Sequence, residues 1–382
     1  MAAVHLTRPS FTLPRALLIT FFISPLLSGC MGSDDNSNGN DESTGRVNAL
    51  GISGLFYQTA SQSGKTNTYG QFQYYPGETL SLKVGNLLIA EGVPAQEWVT
   101  PLEFLPDIRA QLATPSVDDE GLSTHTITEQ LLITRMPLTN LTRFLLALNW
   151  TESVRDGKGI DIRDRVIQQL NAALPNLTGP IDFTVSKTEF DAAGSDPSPA
   201  NQLLAAICFY SEGDELCEDA PTEDEINNAP ERPENDNDWD PDVEYRQDLR
   251  AKKQRILEAA RSMEEVDAED ARLYLTRELN AISTIIGNRF YLNNHIAKHP
   301  ATDTGIKQVK IRRIGESVEL ADVEAITTRP QDVVLHSYSW QTETVEYYVA
   351  GLAGGESEIV ISFVPENTYR WVRKNLRVVI TD

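Results

Sequence analysis

Gly70-Gln71-Phe72-Gln73-Tyr74-Tyr75-Pro76-Gly77-Glu78-Thr79-Leu80-Ser81-Leu82-Lys83-Val84-Gly85 is two short alternating runs around a Pro-Gly turn. Phe72 and Tyr74, then Leu80, Leu82 and Val84, recur every second residue, the period that puts side chains on one face of a strand. Pro76-Gly77 breaks the run with turn chemistry, and Gly85-Asn86 closes it with another turn. Ile52–Tyr57, with Gly64 as a further turn, continues the pattern upstream. Residues 47–100 therefore read as a small β-sandwich, and the rest of the chain is placed relative to it.

Downstream the period changes. Residues 101–207 carry apolar side chains three and four apart, as in Leu141, Leu145 and Leu148 or Ile162, Val166, Leu170 and Leu174, which predicts one-sided helices. Residues 208–241 are irregular and acidic. Residues 242–300 predict two helices, 242–266 and 267–286, folded as an antiparallel hairpin, with Asp267 as N-cap and Gly287 as C-cap of the second. Residues 301–382 return to about five antiparallel strands separated by Gly315, Gly351, Gly354-Gly355 and Pro365-Glu366-Asn367. The expected fold class is multidomain α+β: an N-terminal β-sandwich, a helical middle and a small C-terminal antiparallel β-domain. At 382 residues the chain is long enough for two or three cores.

Upstream, Ala16–Leu27 is an apolar run ending in Leu27-Ser28-Gly29-Cys30. A basic leader, a short apolar core and small residues before a cysteine form a lipoprotein signal, so residues 1–29 read as a signal peptide and Cys30 as the lipidated first residue of the mature chain. The run is about a dozen residues and a spanning helix needs roughly 20. Acyl chains contribute about 0.8 kcal/mol per buried CH₂, and two suffice for stable anchoring. Residues 30–46, small, polar and acidic, read as a flexible tether. Met31 rather than Asp after the cysteine matches the sorting pattern of Gram-negative outer-membrane lipoproteins.

The chain carries 33 Lys and Arg against 56 Asp and Glu, a formal charge of −23. That excludes nucleic acid as a partner, since phosphate contacts come from Lys and Arg. An exported chain meets an oxidising compartment, so Cys208 and Cys217 are expected to be bridged; their spacing is not CxxC and no histidine lies nearby.

Two segments carry stronger likenesses. Residues 51–92 resemble the carboxypeptidase-regulatory and transthyretin-like β-module shared by bacterial lipoproteins and adhesins, which implies a binding or spacer role. Residues 255–282, 303–316, 333–351 and 367–380, with the earlier segments, resemble uncharacterised Gram-negative lipoproteins often labelled "organic solvent ABC transporter permease". A permease needs several apolar spans, and this sequence has none; the resemblance implies at most an accessory lipoprotein. In the same family the segment matching residues 140–162 ends in consecutive acids able to bind calcium. Here those positions hold Asn149, Trp150, Thr151, Glu152, Asp156 and Lys158, so a plain loop is expected.

No catalytic motif is present: there is no Gly-rich phosphate loop, no GxSxG and no HExxH. His295 and His299 have zinc-like spacing but precede Pro300, and read as a frayed helix end. His336 would act as acid or base only beside a carboxylate. Asp236, Asp238 and Asp240 imitate the start of an EF-hand loop, but Pro241 and Gln247 replace its Gly and Glu, leaving weak calcium candidates and otherwise no cofactor. Trp340, Tyr347 and Tyr348 are core-forming aromatics or, if outward-facing, a binding platform. The functional expectation is a non-enzymatic, outer-membrane lipid-anchored binding or scaffold protein, with an envelope protein or glycan as possible partner. An accessory role in organic-solvent or lipid transport comes second and a hydrolase third.

Overall fold

The N-terminal strands are β1 (Ser43–Val47), β2 (Ile52–Ser53), β3 (Phe56–Gln58), β4 (Ser63–Lys65), β5 (Gln71–Tyr74), β6 (Thr79–Val84), β7 (Leu87–Pro94) and β8 (Trp98–Val99). A computed structural model describes residues 42–151, 157–235 and 239–382. Cys30, Glu152, Asp156, Asp236 and Asp238 lie outside the described residues. Two sheets form, ordered β5-β1-β8 and β4-β3-β6-β7. The alternation read in residues 70–85 holds: Phe72, Tyr74, Leu80, Leu82 and Val84 are all buried.

Three local readings need correction. The sheet begins at Ser43, inside the expected tether, because Gly45 sits opposite Phe72 and a Cβ there would lie 2.3 Å from that ring. The run Ile52–Tyr57 is two strands, broken at Gly54, whose φ of +85° takes it out of the extended region. Gly64 lies within β4, opposite Tyr57, and is not a turn.

The middle of the chain holds α1 (Pro101–Phe104), α2 (Pro106–Leu112), β9 (Ser116–Val117), β10 (Ser123–Thr124), α3 (Thr126–Leu132), α4 (Met136–Ala147), β11 (Ile160–Asp161), α5 (Asp164–Ala173), α6 (Lys187–Phe190), α7 (Pro199–Ala205), α8 (Glu223–Asn228), α9 (Arg246–Glu258) and α10 (Ala268–Asn288). Helix α4 is buried from Leu138 to Ala147 and forms the axis of this region. One continuous apolar cluster joins Phe72, Leu80 and Leu82 of the first strands to Phe144 of α4 and Tyr274 and Leu275 of α10. β11 extends the contact by pairing parallel with β2.

Arg143, fully buried on α4, donates to the carbonyls of Met263 and Val266 and lies 2.7 Å from Asp191. A buried charge needs such partners or it costs several kcal/mol, on the order of what a whole domain has to spare.

The expected helical hairpin does not form. α10 packs against α4 with Tyr274, Leu275 and Leu279 and reaches the C-terminal core with Ile282 and Ile286. α9 has no buried residue; Leu249 and Ile256 are half-buried, Leu257 is exposed, and its neighbours are α8 and the turn at Glu215–Cys217 rather than α10. Gly287 lies inside the last turn of α10 and does not cap it.

The C-terminal part holds eight strands: β12 (Phe290–Leu292), β13 (Ile296–Pro300), β14 (Lys307–Arg313), β15 (Leu320–Thr327), β16 (Val333–Ser339), β17 (Thr344–Val349), β18 (Glu356–Pro365) and β19 (Val372–Thr381). They form two four-stranded sheets, β12-β14-β17-β16 and β13-β19-β18-β15. One pairing, β13 with β19, is parallel, against the all-antiparallel expectation. His299 therefore sits in a strand and not at a frayed helix end, and its Nε2 lies 3.1 Å from the Tyr347 hydroxyl. The α+β class with sheets at both ends and helices between them matches the sequence reading.

Candidate functional site

Two features bring polar chemistry together. The first is an interior network on α1, α3, α10 and the β18–β19 connection. Arg370 is 1% exposed and lies between two carboxylates, 3.6 Å from Glu103 and 3.4 Å from Glu129. Tyr369 donates its hydroxyl proton to Glu129 Oε1 at 2.7 Å and accepts from Arg370 Nη2 at 2.7 Å. Glu103 caps α1: its carboxylate accepts the Thr100 amide at 2.8 Å, the Thr100 hydroxyl, and Gln96 Nε2 at 3.2 Å. Burial pushes Glu129 above the usual carboxylate range, against the pull of Arg370. Burial also pushes the Tyr369 hydroxyl far up.

His125 adjoins this network. Its Nδ1 accepts the Trp371 backbone N–H at 2.9 Å, so in the neutral ring the proton is on Nε2, which donates to Ser283 Oγ at 2.9 Å. Burial, then the nearby Arg370, lowers its pKa to about 3, and the ring is neutral across the physiological range.

Serine, histidine and glutamate are thus adjacent, but the arrangement is not a nucleophilic triad. In a triad the base nitrogen accepts the serine proton while the other nitrogen donates to the carboxylate. Here the nitrogen facing Ser283 carries the proton, the other is occupied by a backbone N–H, and Glu129 Oε2 lies 3.8 Å from the same Nε2 that faces the serine. The group holds four elements together, and His125 is not placed to take the Ser283 proton.

The second feature is a cleft of about 610 Å³ between the β5–β6 turn, the β7–β8 connection, the start of β12 and the β18–β19 connection. That volume falls in the range of small-molecule sites, roughly 300 to 1,000 Å³. Tyr74, Trp98 and Phe290 form its apolar part. Arg289 makes two bonds to Glu97, at 2.7 and 2.5 Å, and Arg313 pairs with Glu316 at 2.6 Å. The bond to Glu97 raises Arg289 further above its ordinary value, and burial, then Glu97, raises the Tyr74 hydroxyl. The buried indole Nε1 of Trp98 finds no acceptor among the described residues. A second cavity of about 480 Å³ shares Pro94, Gln96 and Thr368 with the cleft and reaches Glu103 and Tyr369 of the interior network.

The residues singled out in the sequence are dispersed. Tyr347 is 3% exposed, and burial pushes its hydroxyl up to about 12. Tyr348 is half-buried on the opposite face of β17, and Trp340 lies 41% exposed beyond the end of β16. The three share no face and form no platform. His336 is exposed at the β16 bulge. Asp240 accepts the Asp242 amide at 3.0 Å, and among the described residues no group of three His, Cys, Asp or Glu is placed to hold a metal ion. Cys208 and Cys217 are bridged, with Cα atoms 5.4 Å apart. Glu103, Glu129 and Arg370 come from segments with no shared sequence pattern, PLEFL, TITEQLL and TYRWV, and meet only in the fold.

No family model and no curated protein matches this sequence. Among solved structures, 24% of the chain matches 51% of a chain described as the crystal structure of the S-layer protein SbsC domains 4 and 5, at 9% identity and a TM-score of 0.19. A likeness of that size carries no argument about fold or function.

Proposed function

We propose that this chain is a lipoprotein held at the outer membrane through Cys30, whose body is a non-catalytic binding or scaffold unit. The lipobox Leu27-Ser28-Gly29-Cys30 carries the anchoring half of the reading. The tautomer of His125 supports the non-catalytic half, since the serine-histidine-glutamate group among the described residues is wired as a structural joint. The cleft beside Trp98 and Phe290 supports binding. Among the described residues no helix is long and apolar enough to cross a membrane; attachment in this reading rests on the acyl chains at Cys30. The same cleft, sized for a small molecule, favours a second reading: an accessory lipoprotein of envelope transport.

The test is metabolic labelling with an alkyne fatty acid in cells expressing the full chain or Cys30→Ser. The expected result is label and membrane fractionation for the parent and neither for the variant. A variant that still fractionates with the envelope overturns the reading. Crosslinking in intact cells separates the two binding roles: inner-membrane transport components on the body favour the second.

A further inference from the structure

We infer that the Cys208–Cys217 bridge is the fastener of helix α9, so that reducing it releases α9 from the body while the surrounding core stays folded. Ile207 and Phe209 are buried in the main core, and the Cys208 amide donates to Gln169 Oε1 of α5 at 2.9 Å. Arg165, also on α5, donates to the Tyr210 carbonyl at 2.8 Å. One end of the bridge is therefore fixed to the body. Its other end, Cys217, lies between Glu215 and Glu218, and both carboxylates pair with α9: Glu215 with Arg255 at 2.5 and 2.9 Å, and Glu218 with Lys252.

Further ties run to α8 and the segment after it: Arg246 donates to the Asn227 and Ala229 carbonyls, its amide donates to the Pro230 carbonyl, and the Arg232 amide donates to Gln247 Oε1. Lys253 reaches Glu223 at 2.7 Å, Arg246 reaches Glu231 at 2.9 Å, and Arg232 pairs with Asp248. The helix buries no residue of its own, and pairs this exposed contribute little and weaken in salt. An element with little apolar burial and exposed ionic ties belongs to the least stable part of a fold. Its hold depends on where the bridge keeps Glu215 and Glu218. Behind it, a cavity of about 310 Å³ lies between Leu146 and Ala147 of α4 and Glu258 at the end of α9, with Tyr210 on its wall; release of α9 widens it.

The reductant is a dithiol. One of its thiolates attacks a bridge sulfur, and the other protein sulfur leaves and takes a proton. The reductant's second thiol, as its thiolate, then attacks the reductant's own sulfur in the mixed disulfide; the protein sulfur held there leaves and takes a proton, giving two protein thiols and a cyclic oxidised dithiol.

Hydrogen exchange on the mature chain, oxidised and after dithiol treatment, tests this. The expected result is at least a tenfold rise in exchange across residues 246–258, with α4 and α10 unchanged. Glu215→Gln with Glu218→Gln, which keeps the bridge, is expected to raise exchange in the same residues, as is 1 M salt on the oxidised parent. Unchanged protection of α9 after reduction overturns the proposal. Loss of protection in α4 and α10 together with α9 also overturns it, because the bridge would then be a staple of the whole body. If a variant fails to fold, the reduced parent alone decides.

Discussion

The Trp371 amide donates to His125 Nδ1 at 2.9 Å, and this bond ties the start of β19 to the start of α3 across 246 positions of sequence. It also fixes the histidine tautomer and leaves no nitrogen free to act as a base. The consequences for stability and pH follow from that bond and its neighbours.

His125 makes stability depend on pH in one direction. Its folded pKa, about 3, lies below the unfolded value near 6.5, so between them the unfolded chain binds more protons. Its contribution is complete above pH 6.5 and is lost as pH falls toward 3, with a slope of about 1.4 kcal/mol per pH unit. Glu129, raised by burial, acts in the opposite sense: its contribution is present below its unfolded pKa and is lost as pH rises through the folded one. Denaturant midpoints of His125→Asn against the parent should show a flatter profile between pH 3 and 6.5. Parallel profiles would refute the assignment.

Arg370→Met should cost about 3 to 5 kcal/mol at pH 7, because it leaves Glu103 and Glu129 buried without their shared cation. Adding Glu129→Gln should recover part of the loss. Urea unfolding of the single and double variants measures both, and additive losses would mean that the residues do not interact.

Arg289→Met tests the opposite regime. Its partner Glu97 is 46% exposed, and solvent screens such a pair. The expected cost is below about 1 kcal/mol, despite two hydrogen bonds. A loss as large as that of Arg370→Met, read in the same unfolding assay, would show the cleft to be a stability element.

Gly54→Ala should be severely destabilising. A Cβ there would sit 2.0 Å from the Ile162 carbonyl oxygen, on a backbone with φ of +85°. Gly121→Ala is the control, with φ of +83° and nothing within 4 Å, and should cost only the strain of about 1 kcal/mol. Thermal unfolding of the two variants separates steric clash from strain, and equal losses would remove the clash as the cause.

The strand alternation around Phe72 and Leu82 and the helical stripe of Val166 and Leu170 were legible because burial imposes a period that the residues repeat. Tertiary choices were not legible in this way. Nothing local says that Leu275 meets α4 and not α9, or that β13 runs parallel to β19. The interior network was harder still, since a charge looks alike whether solvated or buried, and only the meeting of Glu103, Glu129 and Arg370 from distant segments reveals which one it is.

β1 is the middle strand of its sheet, antiparallel to β5 on one side and parallel to β8 on the other. A pull applied ahead of Ser43 therefore loads the hydrogen bonds on both flanks at once, in shear along the strand, whereas an edge strand would peel away bond by bond. The polypeptide enters its folded body at a place suited to bearing tension.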